Sequence, residues 1–239
     1  MKLNDKTALI SGGSKGIGKA IAKAYVKHGA SLLIFGRNEV ILKEACQEIS
    51  EYGHIDYIRC DITDVADVKS LASHVKKKWK RLDVLVNNAS ILGVRAPILD
   101  YPEDVWEEVI QVNLNGQFFV TKALLPLLIE SPSGSIINVS SSVGRRGKGF
   151  WGAYAASKFG LEGLTQVLAD ELESSNVRVN SVNPGGTRTE MRADAYPDED
   201  PMTLPTPEDI VPVFLYLASG ESVGVTGKQF DAREWIGKS

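Results

Sequence analysis

The sequence predicts an α/β fold: a single domain in which a parallel sheet of about seven strands carries helices on both faces. Three observations lead there. Short β-branched and apolar runs alternate with longer stretches whose apolar residues recur at helical spacing, the signature of strands joined by crossover helices. The 239 residues are enough for one sizeable core and match a single α/β domain. A glycine-rich turn over residues 12–18 joins the first strand directly to the first helix.

The strands are expected at residues 7–11, 31–35, 55–59, 83–87, 135–140, 178–182 and 228–230, each a short run rich in Val, Ile, Leu or Phe bounded by turn formers. The helix after the first strand places Ile17, Ile21, Ala24 and Tyr25 on one stripe and ends at Gly29. Further helices are expected over 38–52, 65–78, 102–114, 117–130, 152–174 and 207–217. Residues 190–207 break the pattern. Pro197, Pro201, Pro205 and Pro207 stand among Asp194, Asp198, Glu199 and Asp200, a mix that resists compact packing and reads as a mobile substrate loop.

Composition excludes several classes. A hydrophobic share of 43% and a charged share of 24% are those of an ordinary globular protein. A net charge of -3 offers no global field for a phosphate backbone, so no nucleic-acid partner is expected. Cys46 and Cys60 lie in no CxxC pair, and His28, His54 and His74 have no partner at ligand spacing, so no metal is expected and a reducing, cytoplasmic setting fits. The first six residues have no apolar core of leader length. The most apolar stretch, residues 118–129, runs about 12 residues and is interrupted by Thr121, Lys122 and Pro126, against roughly 20 for a membrane span. A buried helix and no membrane association are expected.

The turn Gly12-Gly13-Ser14-Lys15-Gly16-Ile17-Gly18 aims the free amides of a helix N-terminus at whatever lies above it, which makes an anion site. Glycines at 12, 16 and 18 permit a tight turn, close approach to a pyrophosphate and close contact of helix with strand. Their Gly-x3-Gly-x-Gly spacing resembles the motif of the short-chain dehydrogenase/reductase superfamily, with Ser11 where threonine is usual. The resemblance continues in order. Asp61-Ile62 is similar to the family's adenine-contacting pair, and Asn87-Asn88-Ala89 to its NNAG turn, with Ser90 in place of glycine. Pro184, Gly185, Thr187 and Thr189 are similar to its nicotinamide-contacting turn. The likeness spans about residues 5–231 and implies a Rossmann-type doubly wound sheet. A narrower likeness, in residues 152–159, 183–191 and 226–232, is to the uncharacterised bacterial YciK-like oxidoreductases.

Cofactors without a 2′-phosphate are usually recognised by an acidic residue ending the second strand. Gly36 stands there, Arg37 follows, and Lys15 sits beside the second glycine. Two cations near the adenosine ribose favour a 2′-phosphate, so NADP (NADPH) is the expected cofactor, with NAD as the alternative.

Hydride transfer to a carbonyl needs a proton donor and a group that polarises the oxygen. Tyr154 and Lys158 lie four residues apart, on neighbouring turns of one helix face. The stripe Leu161, Leu164, Leu168 and Leu172 traces back to Tyr154 and turns the phenol inward, where an ammonium can favour phenolate. The fifth strand ends in Ser140-Ser141-Ser142, where open α/β sheets place ligands. The resemblance assigns Ser141, thirteen residues before Tyr154, to the substrate oxygen, with Ser140 and Ser142 as alternatives where the strand end is bulged. It assigns Asn113 to hold a water joining Lys158 to solvent, and gives Lys158 and Tyr154 contacts with the nicotinamide ribose.

The expected activity is NADP-dependent hydride exchange with a small carbonyl or alcohol. The alternatives are a 3-oxoacyl-carrier-protein reductase and a catalytically silent NADP-sensing protein. Substrate contacts are expected from residues 92–98, 144–151 and 190–207; Arg145, Arg146 and Lys148 read either as an anion grip or as a solvated loop. Phe118, Phe119, Leu124, Leu125, Leu127 and Leu128 cover more than one helix face, which implies a homodimer or homotetramer.

Overall fold

The computed structural model describes residues 1–238. Seven parallel strands, β1 (Thr7–Ser11), β2 (Ser31–Gly36), β3 (Ile55–Arg59), β4 (Val84–Asn87), β5 (Gly134–Val139), β6 (Val177–Asn183) and β7 (Gln229–Asp231), stand in the order β3-β2-β1-β4-β5-β6-β7. The chain winds outward from β1 to β3, then returns beside β1 and winds the other way. The carboxyl ends of β1 and β4 therefore flank the switch point, where a doubly wound Rossmann-type sheet opens its ligand crevice.

Strand side chains alternate between two cores, as the two-residue period demands. On one face Ala8, Ile10, Leu32, Ile34, Val84, Val86 and Ile137 pack under α1 (Gly16–Lys27), α2 (Glu39–Ile49) and α8 (Pro212–Ala218). On the other, Leu9, Leu33, Phe35, Leu85, Ile136 and Val179 pack under α3 (Val65–Trp79), α5 (Gln117–Ile129) and α6 (Gly152–Glu171). The chain is one domain.

Three elements differ from expectation, the simplest being the helix expected over 207–217, which starts only at Pro212, where proline fits the first helical turn. The helices read as 102–114 and 117–130 form one continuous helix, because α4 (Glu103–Ile110) passes through a π turn (Gln111–Gly116) into α5 without a break. Asn113 and Asn115 look like breakers, yet the wider π turn accommodates them. That 27-residue run contains an 18-residue window of mean hydropathy 1.2, long and apolar enough to cross a membrane, but half of that window is buried, and Val120, Leu124 and Leu128 are in the sheet core. Residues 190–207, expected as a loop that resists packing, open with a short helix, α7 (Glu190–Ala195), capped by Thr189 and steadied by paired bonds from Arg192 to Glu199 at 2.6 and 2.7 Å.

Candidate active site

The crevice floor is built by β1 and β4. Ser11 Oγ accepts the amides of Asn88 and Ala89, both at 2.9 Å, and Asn88 Nδ2 donates to Ser11 O and Gly12 O at 2.9 and 3.2 Å. The hydroxyl kept at position 11 thus ties the two strand ends together. Ser90 needs no glycine: it is absent from the residues with positive φ.

Gly12 and Gly16 have φ of +64° and +48°, where an L side chain is strained. A Cβ on Gly18 would come within 2.6 Å of Asn88 Nδ2 and closer still to Gly12 O, so α1 can start against the strand only without one. Ser14 and Ile17 lie in this turn, with Ile17 partly buried against the core. Gly13, not singled out from sequence, is equally restricted, since a Cβ would meet the Ile34 side chain.

At the carboxyl ends of β2 and β3, Arg37 is exposed beyond β2. Asp61 is partly buried, which works against its charge. Bonds from the Thr63 amide (2.9 Å) and hydroxyl (2.7 Å), with the nearby Arg37 and Arg59 cations, outweigh burial and hold its carboxyl below the usual range. Ile62 is buried against Gly116. Lys15 is not free: its Nζ lies 3.1 Å from Glu190 Oε2, so the ion pair crosses from the glycine turn to the start of α7.

The expected reacting groups gather at the carboxyl ends of β4 and β5. Ser141 follows β5, its Oγ accepting the Val143 amide at 3.4 Å. Tyr154 is 9% exposed. Burial pushes its phenol up to about 12, against a hydrogen bond with Ser141 that pulls downward. Lys158 is 2% exposed and donates to Val139 O at 2.8 Å, with Nζ 5.6 Å from the Tyr154 ring centre. Burial lowers its ammonium to about 8, against the attraction of Glu162. The expectation that Lys158 depresses the phenol is therefore not met in this geometry; burial dominates both groups. Ser140 is also buried, and among the described residues its Oγ has no partner.

Asn113, in the π turn, is fully buried. Its Oδ1 accepts the Ile91 amide at 2.8 Å, and its Nδ2 donates to Ile91 O (2.8 Å) and Ser157 Oγ (3.3 Å). It thereby fastens the loop after β4 to α6.

Three further supports went unnoticed in the sequence. Ser157 donates to Tyr154 O at 2.8 Å. Gly144 packs where a Cβ would meet Lys158 backbone and Cβ at under 3 Å. Glu162, 4% exposed, accepts from Ser181 (2.7 Å), Gln229 (2.9 Å) and Arg145 (3.3 Å). Only Glu162 left a signal, a carboxylate one turn after Lys158 on an apolar face.

After β6, Pro184 and Thr187 are buried and joined by a 3.3 Å bond from Thr187 Oγ1 to Pro184 O. Gly185 takes φ +70°, and Thr189 caps α7 beside Gly16. The cationic cluster splits: Arg145 is taken by Glu162, both oxygens of Asp231 at 3.1 Å and Phe230 O, so it holds β7 rather than a ligand.

A crevice at the switch point, floored by a glycine turn and walled by Ser141, Tyr154 and Lys158, has counterparts among known proteins. The short chain dehydrogenase family profile matches residues 6–200. The uncharacterized oxidoreductase YciK of Escherichia coli K12 is 44% identical over 238 residues, covering 97% of this chain and 93% of its own. A short chain dehydrogenase from Shigella flexneri 2a, solved in complex with NADP, superposes with a TM-score of 0.95 at 44% identity and covers 97% of this chain and 98% of its own. One from Escherichia coli CFT073, complexed with NADPH, gives 0.94 at 45% identity with the same coverage. The chain belongs to the short-chain dehydrogenase/reductase family of oxidoreductases.

Proposed function

We propose that this protein is an NADP-dependent oxidoreductase acting on a carbonyl or alcohol, with Tyr154 as general acid and base. The observation that carries the reading is the convergence of Ser141, Tyr154 and Lys158 on one crevice, with Asn113 buttressing it from behind.

The residues fit a dinucleotide. The strained φ of Gly12 and Gly16 and the crowding at Gly18 leave bare backbone where a pyrophosphate approaches. Asp61, Ile62, Asn88 and Ala89 flank the adenine side; Pro184, Gly185, Thr187 and Thr189 flank the nicotinamide side. Gly36 offers no carboxylate to repel a 2′-phosphate and Arg37 supplies a cation, while Lys15 stands nearby in an exposed pair with Glu190 that a phosphate would have to compete with. The two solved relatives bound to NADP and NADPH support the same choice.

When bound, the nicotinamide gives a hydride to a carbonyl carbon or takes one from an alcohol. The phenol, held protonated by burial, delivers its proton to the oxygen as charge grows there. Ser141 donates a hydrogen bond to the same oxygen and fixes its direction. Lys158, with an ammonium lowered to about 8 and its Nζ 5.6 Å from the Tyr154 ring centre, returns a proton to the phenolate. Asn113 keeps one unused Oδ1 lone pair, the acceptor a relaying water needs. Residues 190–207 form the substrate loop.

Tyr154→Phe removes the acid while leaving the ring packed. Turnover of a carbonyl panel with NADPH should fall by about 10²- to 10⁴-fold with NADPH binding retained; undiminished turnover rejects the acid role, and a wild type that turns over nothing favours the silent sensor. Exposed Phe118 and Ile129 on α5 and Phe159 and Val167 on α6 support association into a homodimer or homotetramer, and a monomer by light scattering would refute that.

A further inference from the structure

Beside Tyr154 lies a cluster that the hydride chemistry does not use. Trp151 packs on the phenol with ring centres 5.7 Å apart, and Tyr196, just past α7, packs on Trp151 at 6.0 Å. Val143, Ile91, Leu92 and Met191 complete an apolar wall around the phenol. Three cations collect at the far end. The Arg95 guanidinium lies 5.2 Å from the Trp151 ring centre and 4.8 Å from that of Tyr196. Arg192 lies 3.8 Å from the Tyr196 ring, and Lys148 Nζ reaches the Tyr196 hydroxyl at 2.9 Å.

Their charges are not equally spent. Arg192 is neutralised by its paired bonds to Glu199. Among the described residues neither Arg95 nor Lys148 has a carboxylate partner. Arg95 spends one N–H on Ala195 O and, with five donors in a planar fork, keeps the rest. Both side chains are exposed at the crevice rim. An arginine stacked on rings is held in one orientation before any ligand arrives, so less entropy is lost on binding. The Lys148 bond, aided by attraction to the three cations, holds the Tyr196 phenol below its usual range despite partial burial, which is the mark of a strongly positive locality. Among the described residues Trp151 Nε1, itself buried, has no partner.

We infer that the substrate is an amphipathic carbonyl compound: its apolar body lies along Trp151, and a remote anionic group, carboxylate or phosphate, is gripped by Arg95 and Lys148. This rests on the oxidoreductase reading above and names the substrate class for the same site. The Trp151 ring stands between the phenol, 5.7 Å from it, and the guanidinium, 5.2 Å from it, so the anion stands several bonds from the carbonyl. An adjacent carboxylate, as in a 2-oxo acid, does not reach it.

The test compares octan-2-one, 7-oxooctanoate and the phosphate ester of 8-hydroxyoctan-2-one with NADPH, in wild type, Lys148→Gln and Arg95→Gln. The anionic ketones should be preferred by at least tenfold in kcat/KM. Each variant should erase most of that preference through KM, the anionic ketones losing at least tenfold more than octan-2-one. The better anion identifies carboxylate or phosphate. Preference for the neutral ketone, or equal losses on all three substrates, overturns the inference. Should no ketone be turned over, calorimetric binding of octanoate against octanamide to the NADPH complex decides separately. Tighter octanoate binding that Lys148→Gln abolishes upholds the anion site even where the reductase reading fails, and equal binding of the two rejects it.

Discussion

Burial of Lys158 sets a cost that a single substitution should expose. An ammonium lowered from 10.5 to about 8 is destabilised in the folded state by about 3 kcal/mol at neutral pH, at about 1.4 kcal/mol per unit. Methionine in its place keeps length and removes the charge, but leaves Val139 O without the donor it has at 2.8 Å, a loss of about 1 kcal/mol. Lys158→Met is therefore expected to unfold in urea with about 2 kcal/mol more stability than wild type at pH 7, and to lose turnover. The sign of the pH dependence follows. The unfolded lysine binds its proton up to 10.5 and the folded one only up to about 8, so wild type regains stability as pH rises between them. By pH 9 about 1 kcal/mol is recovered, and the gap between variant and wild type narrows by that amount while other titrating groups cancel in the difference. A variant less stable than wild type at pH 7, or a gap unchanged at pH 9, would refute the assignment of Lys158 as a desolvated cation.

Three further outcomes concern the cofactor crevice. Gly18→Ala should lower stability by about 3 kcal/mol and abolish NADPH binding by calorimetry, because its Cβ meets Asn88 and the Gly12 backbone; a variant that binds normally would disprove the close approach. Arg37→Gln should weaken NADPH by roughly 10- to 100-fold, the worth of a charge-assisted bond, and leave NADH within twofold. Glu190→Gln, by releasing Lys15 from its 3.1 Å pair, should tighten NADPH about twofold at low salt, the small effect expected of an exposed pair.

Much of the fold was legible. β1 and β3 occupy the expected residues and the other strands shift by a residue or so at an end, because a buried parallel strand must be a nearly unbroken apolar run. The placing of Tyr154 and Lys158 on one helix was legible for a similar reason, because their four-residue spacing is a property of a helix, whereas Ser141 was picked out by the family resemblance. The continuity of α4 into α5 was not, since Asn113 and Asn115 argue locally for a break and only the bonds from Asn113 to Ile91 and Ser157 make the π turn worthwhile. Nor was α7, whose proline- and acid-rich surroundings are offset by the Arg192 to Glu199 bonds and the Arg95 bond to Ala195 O.

The sequence by itself determined the sheet, the glycine turn and the placing of Tyr154 and Lys158 on one helix, because each is written in spacings of two, three or four positions. Tertiary structure alone decided which charges are available. Lys15 pairs with Glu190, Arg145 is consumed by Glu162 and Asp231, and Lys148 and Arg95 keep their charge beside Tyr196. Those partners lie 17 to 175 positions apart where bonds join them, so no local period records them. A cation's partner is set by which loops the folded sheet brings together, and with it whether that cation binds a ligand or holds the fold.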